Sequence, residues 1–245
     1  MEKAGIIACQ SEASQLIDIR SKIKHILLPQ PCVLCAAPTQ HNMLCAGCEQ
    51  DLPWRSGNGC PVCALPSGTG DICGPCLKTP PAFDATHAIL DYRFPVNAVL
   101  QRYKYSGLLA ISGLMGHLLA RDLHDAPRPE LIIPMPLHPT RLKERGFNQA
   151  IEIARIVAET LDIPLATQLC SRTRPTQPQT GLALKERRRN MRGVFSCHQN
   201  LEGKHVALLD DVMTTGASLD ALARAVKDAG AARVDCWVVA RTLPA

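Results

Sequence analysis

Eight of the chain's twelve cysteines fall between Cys32 and Cys76, in four Cys-x-x-Cys pairs: Cys32/Cys35, Cys45/Cys48, Cys60/Cys63 and Cys73/Cys76. The pairs repeat as a unit, with nine residues between the first and second and nine between the third and fourth. Two thiolates two residues apart grip one ion from a single turn, and a second such turn closes a tetrahedral site. Zinc suits four soft thiolates and needs no redox chemistry. The duplicated spacing predicts that each half closes its own site, giving two structural Zn²⁺. A cross-braced pairing of the first pair with the third satisfies the same count. Redox dithiols or an iron–sulfur cluster are the other uses of such cysteines, and four regularly spaced pairs favour zinc over both.

The rest of the composition narrows the class. A chain of 245 residues is the size of one large or two modest domains. With 46% apolar and 20% charged residues it is not a disordered chain. No run approaches the roughly 20 apolar residues that span a bilayer, so no membrane insertion is expected. The start, Met1-Glu2-Lys3, has neither a basic nor a long apolar segment, which predicts no secretory signal and a cytoplasmic protein. Cysteines there serve metals rather than disulfides. The net charge of +5 permits an anionic partner without demanding one. Aromatics, at 4%, are too few for a broad base-stacking platform.

The organisation reads as an N-terminal extension over residues 1–22, a double zinc ribbon over 23–78 and an α/β domain over 83–245. Ile23–Leu28 is apolar enough to pack on the main domain. Thr79-Pro80-Pro81-Ala82 is stiff and reads as the linker. A pair of ribbons serves either to dock nucleic acid or protein, or as a structural staple. Within and beside the cysteine module of residues 32–76, Arg55 and Lys78 are the basic residues, which favours the staple.

Beyond the linker, strand and helix patterns alternate. Ala88, Leu90, Tyr92 and Phe94 alternate with Ile89, Asp91 and Arg93, predicting a strand with one buried face. Pro95 opens a helix with Val96, Val99, Leu100 and Tyr103 inward, stopped by Gly107. A second helix runs from about Leu108 to Leu123. Leu131-Ile132-Ile133 reads as a buried strand. Asn148 to Leu161 is a helix with Ile151, Ala154, Ala158 and Leu161 on one face, and Asn148 can cap it. Val206–Leu209 and Val234–Ala240 are buried strands around a helix over Ser218–Ala229, with Leu219, Leu222 and Val226 inward. This alternation predicts a mostly parallel sheet with helices on both faces. Ligands of such sheets lie beyond the carboxyl ends of the strands, here just after Ile133 and Leu209.

The segment after Leu209 carries the most chemistry. A buried strand delivers Asp210 and Asp211, followed by Val212-Met213, the small turn Thr214-Thr215-Gly216-Ala217-Ser218 and a helix. Amides of such a turn have no internal acceptor and sit at the positive end of the helix dipole, which suits a phosphate. Gly216 allows close approach, and the hydroxyls of Thr214, Thr215 and Ser218 add donors. The two carboxylates can accept from two sugar hydroxyls. The ligand described is a ribose 5-phosphate. A solvated strand end with a polar helix cap explains each feature singly, but not the ordered combination.

Residues 206–218 match at every position the 5-phosphoribosyl 1-pyrophosphate (PRPP) signature of type I phosphoribosyltransferases. From about residue 23 the chain resembles the ComF family of competence proteins and the related GntX proteins. The likeness covers the Cys pattern, Tyr103-Lys104-Tyr105-Ser106-Gly107, Pro134-Met135-Pro136-Leu137-His138-Pro139, Arg145-Gly146-Phe147-Asn148-Gln149 and the stretch from Arg172 to Asn190. It implies a type I phosphoribosyltransferase-like α/β fold carrying a double zinc ribbon. It also implies a pyrophosphate loop at Pro136, Leu137 and His138, with Arg141 and Arg145 near phosphate oxygens, and Mg²⁺ bound with PRPP. Residues 171–192 carry seven Lys or Arg against one acid, a net +6 that exceeds the charge of the whole chain. The resemblance makes this stretch, with Arg187, Arg188 and Arg189, the flexible loop that closes over PRPP; a nucleic-acid backbone is the competing partner. By resemblance the protein serves DNA uptake or use, binding single-stranded DNA and meeting other DNA-uptake proteins. The alternative is an active phosphoribosyltransferase acting on a nitrogenous base or another small nitrogen acceptor. Cys9, Cys170, Cys197 and Cys236 have no Cys-x-x-Cys partner and read as ordinary thiols. Lys143 reads equally as a phosphate partner or as solvated.

Residues 32–76 hold few large apolar side chains, so metal supplies their folding free energy. A chelator that removes both zincs should abolish amide-exchange protection across 32–76; zinc-free protein with that protection intact would contradict this.

Overall fold

The computed structural model describes residues 30–39, 43–55, 59–106, 110–174 and 193–244. The expected N-terminal extension, the Ile23–Leu28 segment, Cys9 and Arg187, Arg188 and Arg189 lie outside the described residues. Two compact units divide between Asp51 and Leu52.

The first unit holds the first ribbon. Strands β1 (Gln30–Pro31) and β2 (Pro38–Thr39) pair antiparallel. The Cys32–Cys35 turn closes with Cys32 N–H donating to Ala37 O at 2.7 Å and Ala36 N–H to Cys32 O at 2.8 Å. Ala36 takes φ 60° to complete it. Cys45 then N-caps the short helix α1 (Ala46–Gln50), its Sγ accepting from Cys48 N–H.

In the second unit the pattern recurs almost atom for atom. Cys60 N–H donates to Leu65 O at 2.7 Å, Ala64 N–H to Cys60 O at 2.8 Å, and Ala64 takes φ 56°. Cys73 takes the N-cap position of helix α2 (Gly74–Lys78), here without the side-chain hydrogen bond that Cys45 makes. The repeat visible in the cysteine spacing is therefore a repeat of backbone geometry, down to an alanine in the left-handed region after each first pair.

The α/β part is built on strands β3 (Ala85–Asp91), β4 (Leu131–Pro134), β7 (His205–Met213) and β8 (Arg233–Arg241), joined in the order β3-β8-β7-β4. All three pairings are parallel. Val206 to Leu209 are each 0% exposed. Consecutive strand residues point to opposite faces, so both faces of the sheet are covered. Helix α3 (Val96–Ser106) packs on α4 (Ala110–Asp122), and the short α5 (Pro139–Arg145) buries no residue. Helices α4, α6 (Gln149–Leu161) and α7 (Ala217–Asp228) supply the cover of the sheet, with the antiparallel pair β5 (Cys170–Arg172) and β6 (Phe195–Cys197) beside α7.

Two local expectations shift. The first strand begins three residues earlier and ends at Asp91, where Arg93 N–H turns back to Asp91 O. Ile89 and Leu90 are both buried, whereas Phe94 is 79% exposed. The alternation predicted one buried face, but helices and ribbon enclose both. The inward face of α6 is Ala150, Ile153, Ala154, Val157 and Ala158, rotated from the expected one so that Ile151 and Leu161 lie at its margin.

Sheet edges expose unpaired backbone groups, and here they are occupied. Beside β3, Arg55 N–H donates to Ile89 O and Asp91 N–H to Pro53 O, forming an antiparallel bridge of Trp54 with Leu90. Beside β4, Ile132 N–H donates to Pro164 O and Ala166 N–H to Ile132 O.

The second zinc knuckle is docked with comparable completeness. Pro61 O accepts from Thr86 N–H at 3.0 Å and Val62 O from Thr86 Oγ1 at 2.6 Å. Cys63 O accepts from Arg241 Nε at 2.9 Å, and Ala64 O from Arg55 Nη2. Arg55 is itself fixed by Asp91 at 2.6 Å. Four consecutive carbonyls of one turn are thus satisfied by the sheet and its flank.

Helix α4 meets α6 at Gly116, where an added Cβ would sit 2.6 Å from Ile156 Cβ. That atom is fixed to the helix backbone and has no slack. Gly116→Ala should therefore destabilise the protein by about 1–3 kcal/mol in denaturant melts, despite alanine's better helix propensity; an unchanged or raised midpoint would contradict the close packing.

Candidate functional site

Strands β4 and β7 are neighbours in register, with Pro134 opposite Leu209, so the chains leaving them emerge side by side. The β4 exit, Met135 to His138, leads into α5. Met135 N–H still donates to Leu209 O at 2.8 Å. His138 caps α5, its Nδ1 accepting from Thr140 N–H at 3.3 Å. Asn148, 7% exposed, caps α6 by accepting from Ala150 N–H, and its Nδ2 donates to Met135 O at 3.0 Å. One side chain therefore starts α6 and ties down the β4 exit, consistent with the capping role expected of it. Arg145 donates to Gln149 Oε1 at 3.1 Å, and Arg141 lies 3.8 Å from Glu144.

The β7 exit carries the acids. The strand runs on to Met213, four residues beyond the apolar stretch, so Asp210 and Asp211 belong to the strand itself. Asp211 is 6% exposed, and its Oδ2 lies 2.7 Å from Lys104 Nζ. Asp210 Oδ1 accepts from Asp211 N–H at 2.9 Å. Burial, then the adjacent Asp211 carboxylate, push the Asp210 carboxyl up to about 8, with Lys104 opposing them. Burial pulls the Lys104 ammonium down, but Asp211 and Asp210 outweigh it and hold the group above its ordinary range. Arg172, at the end of β5, stacks its guanidinium over Phe195 with 5.6 Å to the ring centroid and feels Asp210 and Arg141 electrostatically.

After Met213 the chain turns through Thr214, Thr215 and Gly216. Gly216 takes φ +79°, a conformation that disfavours a side chain, and a Cβ there would meet Met213 Cε at 3.2 Å. It occupies the N-cap position of α7 with no side-chain cap hydrogen bond. Thr215 Oγ1 accepts from Ala217 N–H at 3.4 Å. A glycine N-cap leaves first-turn amides of the helix directed outward, where the dipole is positive.

Lys104 and Arg172 are the residues whose part sequence reasoning missed. Both lie within the motifs quoted for the family resemblance, but nothing in helical periodicity connects Lys104 to Asp211, more than a hundred residues away. The inward placement of Tyr103 is as expected: it is 0% exposed, its ring centroid 5.3 Å from that of Phe147 with the planes tilted by 49°.

The eight ribbon cysteines form two groups, Cys32/Cys35/Cys45/Cys48 and Cys60/Cys63/Cys73/Cys76. Each half closes on itself, and the cross-braced alternative is excluded. In each group the ligand atoms lie within 4.8 Å of one another. Cys35 Sγ and Cys45 Sγ are 3.6 Å apart, as are Cys63 Sγ and Cys73 Sγ. Tetrahedral zinc with bonds of about 2.3 Å places its sulfurs about 3.8 Å apart, so both groups fit the ion.

Residues 23–77 match the double zinc ribbon domain and residues 148–243 the phosphoribosyl transferase domain. Competence protein F of Haemophilus influenzae is 33% identical over 210 residues, covering 82% of this chain and 91% of its own. The chain belongs to the ComF family of competence proteins. Within that family, DNA utilization protein YhgH of Salmonella typhi is 30% identical over 227 residues, covering 89% of this chain and 100% of its own. Competence protein ComFC of Bacillus subtilis is 26% identical over 254 residues, covering 99% and 97%. The ComF-family fold is thus a zinc-ribbon pair with a phosphoribosyltransferase-like parallel sheet. No helix among the described residues is long and apolar enough to cross a membrane.

The raised Asp210 pKa gives a test of the site's electrostatics. The folded chain keeps Asp210 protonated where the unfolded chain has already ionised it. Between about pH 4 and pH 8 the native state then binds more protons, and stability falls as pH rises. Asp210→Asn should flatten that fall, gaining on the wild type between pH 5 and pH 8 in thermal melts; parallel pH profiles would contradict it.

Proposed function

We propose that this ComF-family protein binds PRPP at the ends of β4 and β7 and acts in the uptake or use of DNA. The observation that carries the first part is the order of groups along one strand exit. Two carboxylates are followed within a few residues by a left-handed glycine and a helix start at which Thr215 Oγ1 takes only the Ala217 amide, in a long 3.4 Å contact. The 5-phosphate takes the turn from Thr214 to Ser218, accepting from its amides and hydroxyls. Asp210 and Asp211 accept from the ribose hydroxyls. A ligand hydroxyl at Asp210 favours the ionised carboxylate and offsets the burial that raises its pKa. Pyrophosphate lies toward the β4 exit at Pro136, Leu137 and His138, within reach of Arg141, Arg145 and Arg172. Bound with PRPP, Mg²⁺ neutralises part of the pyrophosphate charge, and acidic side chains nearby are compatible with it.

The DNA part is supported by the names of relatives, which include competence protein F and DNA utilization protein. It is also supported by the +6 charge of residues 171–192. The partner chemistry that charge suits is a single strand held by its phosphates, with affinity falling steeply as salt rises. Unchanged affinity after Arg187, Arg188 and Arg189 are all made Ala would remove that stretch from the interface.

The match to the phosphoribosyl transferase domain favours a second reading, transfer to a nitrogen acceptor. The site then stabilises a cationic sugar as pyrophosphate leaves, holding geometry and charge without a protein nucleophile. Pyrophosphate release against a panel of bases separates the two: persistent silence with retained DNA binding selects the first.

The decisive variant is Asp210→Asn with Asp211→Asn. Two hydrogen bonds to charged carboxylates contribute about 1.5–3 kcal/mol each, so PRPP affinity should fall about 10²- to 10⁴-fold with the fold intact by circular dichroism. A folded double variant with native affinity would show that the acids do not hold the sugar.

A further inference from the structure

Arg241 ends β8 and is 3% exposed. Its hydrogen bonds go to backbone carbonyls. Nε donates to Cys63 O at 2.9 Å, and Nη1 donates to Met213 O at 2.8 Å, to Thr242 O at 3.0 Å and to Thr214 O. Among the described residues no carboxylate pairs with it. A buried cation requires a counter-charge. Asp91, opposite Arg241 across β3 and β8, is engaged by Arg55, and the carbonyl that Nε holds belongs to Cys63, a member of the second zinc group. Four thiolates around one Zn²⁺ leave about two net negative charges, which compensate the guanidinium.

The far side of the same guanidinium holds the turn proposed to bind phosphate. A peptide unit is planar and trans. Fixing the Thr214 carbonyl on Arg241 therefore fixes the Thr215 N–H in the opposite direction, away from the arginine. A cavity of ≈ 120 Å³ bordered by Cys63, Cys76, Gly216 and Arg241 lies between knuckle and turn. Beside that gap the planar fork of the arginine bridges the two, gripping several carbonyls in a way a lysine cannot.

We propose that Arg241 is a positioning residue that couples the second zinc site to the phosphate turn, so that zinc on Cys60, Cys63, Cys73 and Cys76 and PRPP on Thr214–Ser218 strengthen each other's binding. This rests on the PRPP reading above. When zinc leaves, Arg241 loses one firm end of the bridge it makes between knuckle and turn. The knuckle carbonyl at Cys63 loosens as metal-dependent structure is lost. The Thr214 carbonyl is then no longer held, and the amide that faces phosphate loses its fixed direction. Linkage makes the effect reciprocal: PRPP must hold the second zinc more tightly by the same factor. No part of this chain of contacts involves the first zinc group, whose release serves as the internal reference.

The test follows zinc release from the full chain into a chromophoric chelator, with and without PRPP and Mg²⁺. Cys60→Ser, which retains the first site, identifies the release phase belonging to that site. In the wild type, PRPP should slow release from the second site at least about fivefold, the lower end of typical coupling, and leave the first unchanged. Arg241→Lys, which keeps the charge but not the fork, should cut that slowing to less than twofold with both zincs still bound. Cobalt in the second site gives a spectroscopic check: PRPP should shift its thiolate charge-transfer bands in the wild type and not in Arg241→Lys. A wild type that binds PRPP while neither zinc is retained longer would overturn the coupling, as would full coupling in Arg241→Lys. If the wild type does not bind PRPP, the functional reading fails, and amide exchange judges the wiring. Protection of residues 214–218 should drop when the second zinc is removed, and unchanged protection would overturn the proposal.

Discussion

The carbonyls of Pro61, Val62, Cys63 and Ala64 point out of the second zinc knuckle; the first three are taken up by groups of the α/β part and the fourth by Arg55, in the segment between the two ribbons. A metal knuckle is small and rigid, and its outward carbonyls need partners wherever it is packed against protein. Here those partners come from β3, from the end of β8 and from Arg55. The consequence is architectural. The second ribbon is a component of the sheet's flank, and the segment leading into it, Pro53 to Arg55, closes the β3 edge. The compact unit accordingly begins at Leu52, inside the ribbon pair.

That arrangement explains why a chain with modest aromatic content holds a well-enclosed sheet. Both faces of β7 and β8 are buried, and both sheet edges carry backbone partners. The charged groups kept inside are correspondingly few and tied to named neighbours: Asp211 to Lys104, Arg55 to Asp91, Arg241 to carbonyls. They gather at the carboxyl ends of the strands, where parallel sheets place their ligands. The opposite end has its own buried acid, Asp235, bonded to His205 and Arg233. There the acid is paired on both carboxylate oxygens, which distinguishes a structural cluster from the candidate site.

Much of this was legible in the sequence because its signals are local. Cysteine spacing gave the two metal groups, and a four-residue apolar run gave β7. The Asp-Asp and Thr-Thr-Gly order placed acids and turn at one strand exit. What remained hidden depends on contacts between distant residues. The partnership of Lys104 with Asp211 joins a helix to a strand across more than a hundred residues. Arg241 reads in sequence as the last charged residue of a strand, and only tertiary structure shows it buried against a zinc knuckle. The first strand was misplaced because alternation reports one covered face, whereas the structure covers two. The inward face of α6 was misjudged because Ile151 and Ile153 are equally apolar, and packing alone selects Ile153.

The central claim is that the turn after β7 presents its amides to a phosphate beside two sugar-binding acids. The most direct measurement is a titration of isotope-labelled protein with PRPP and Mg²⁺, following backbone amide resonances. The account predicts saturable shifts largest at Thr215 through Ser218, accompanied by Asp210 and Asp211, and no comparable change around Cys32–Cys48. Saturable binding that leaves the amides of residues 214–218 unmoved would contradict it.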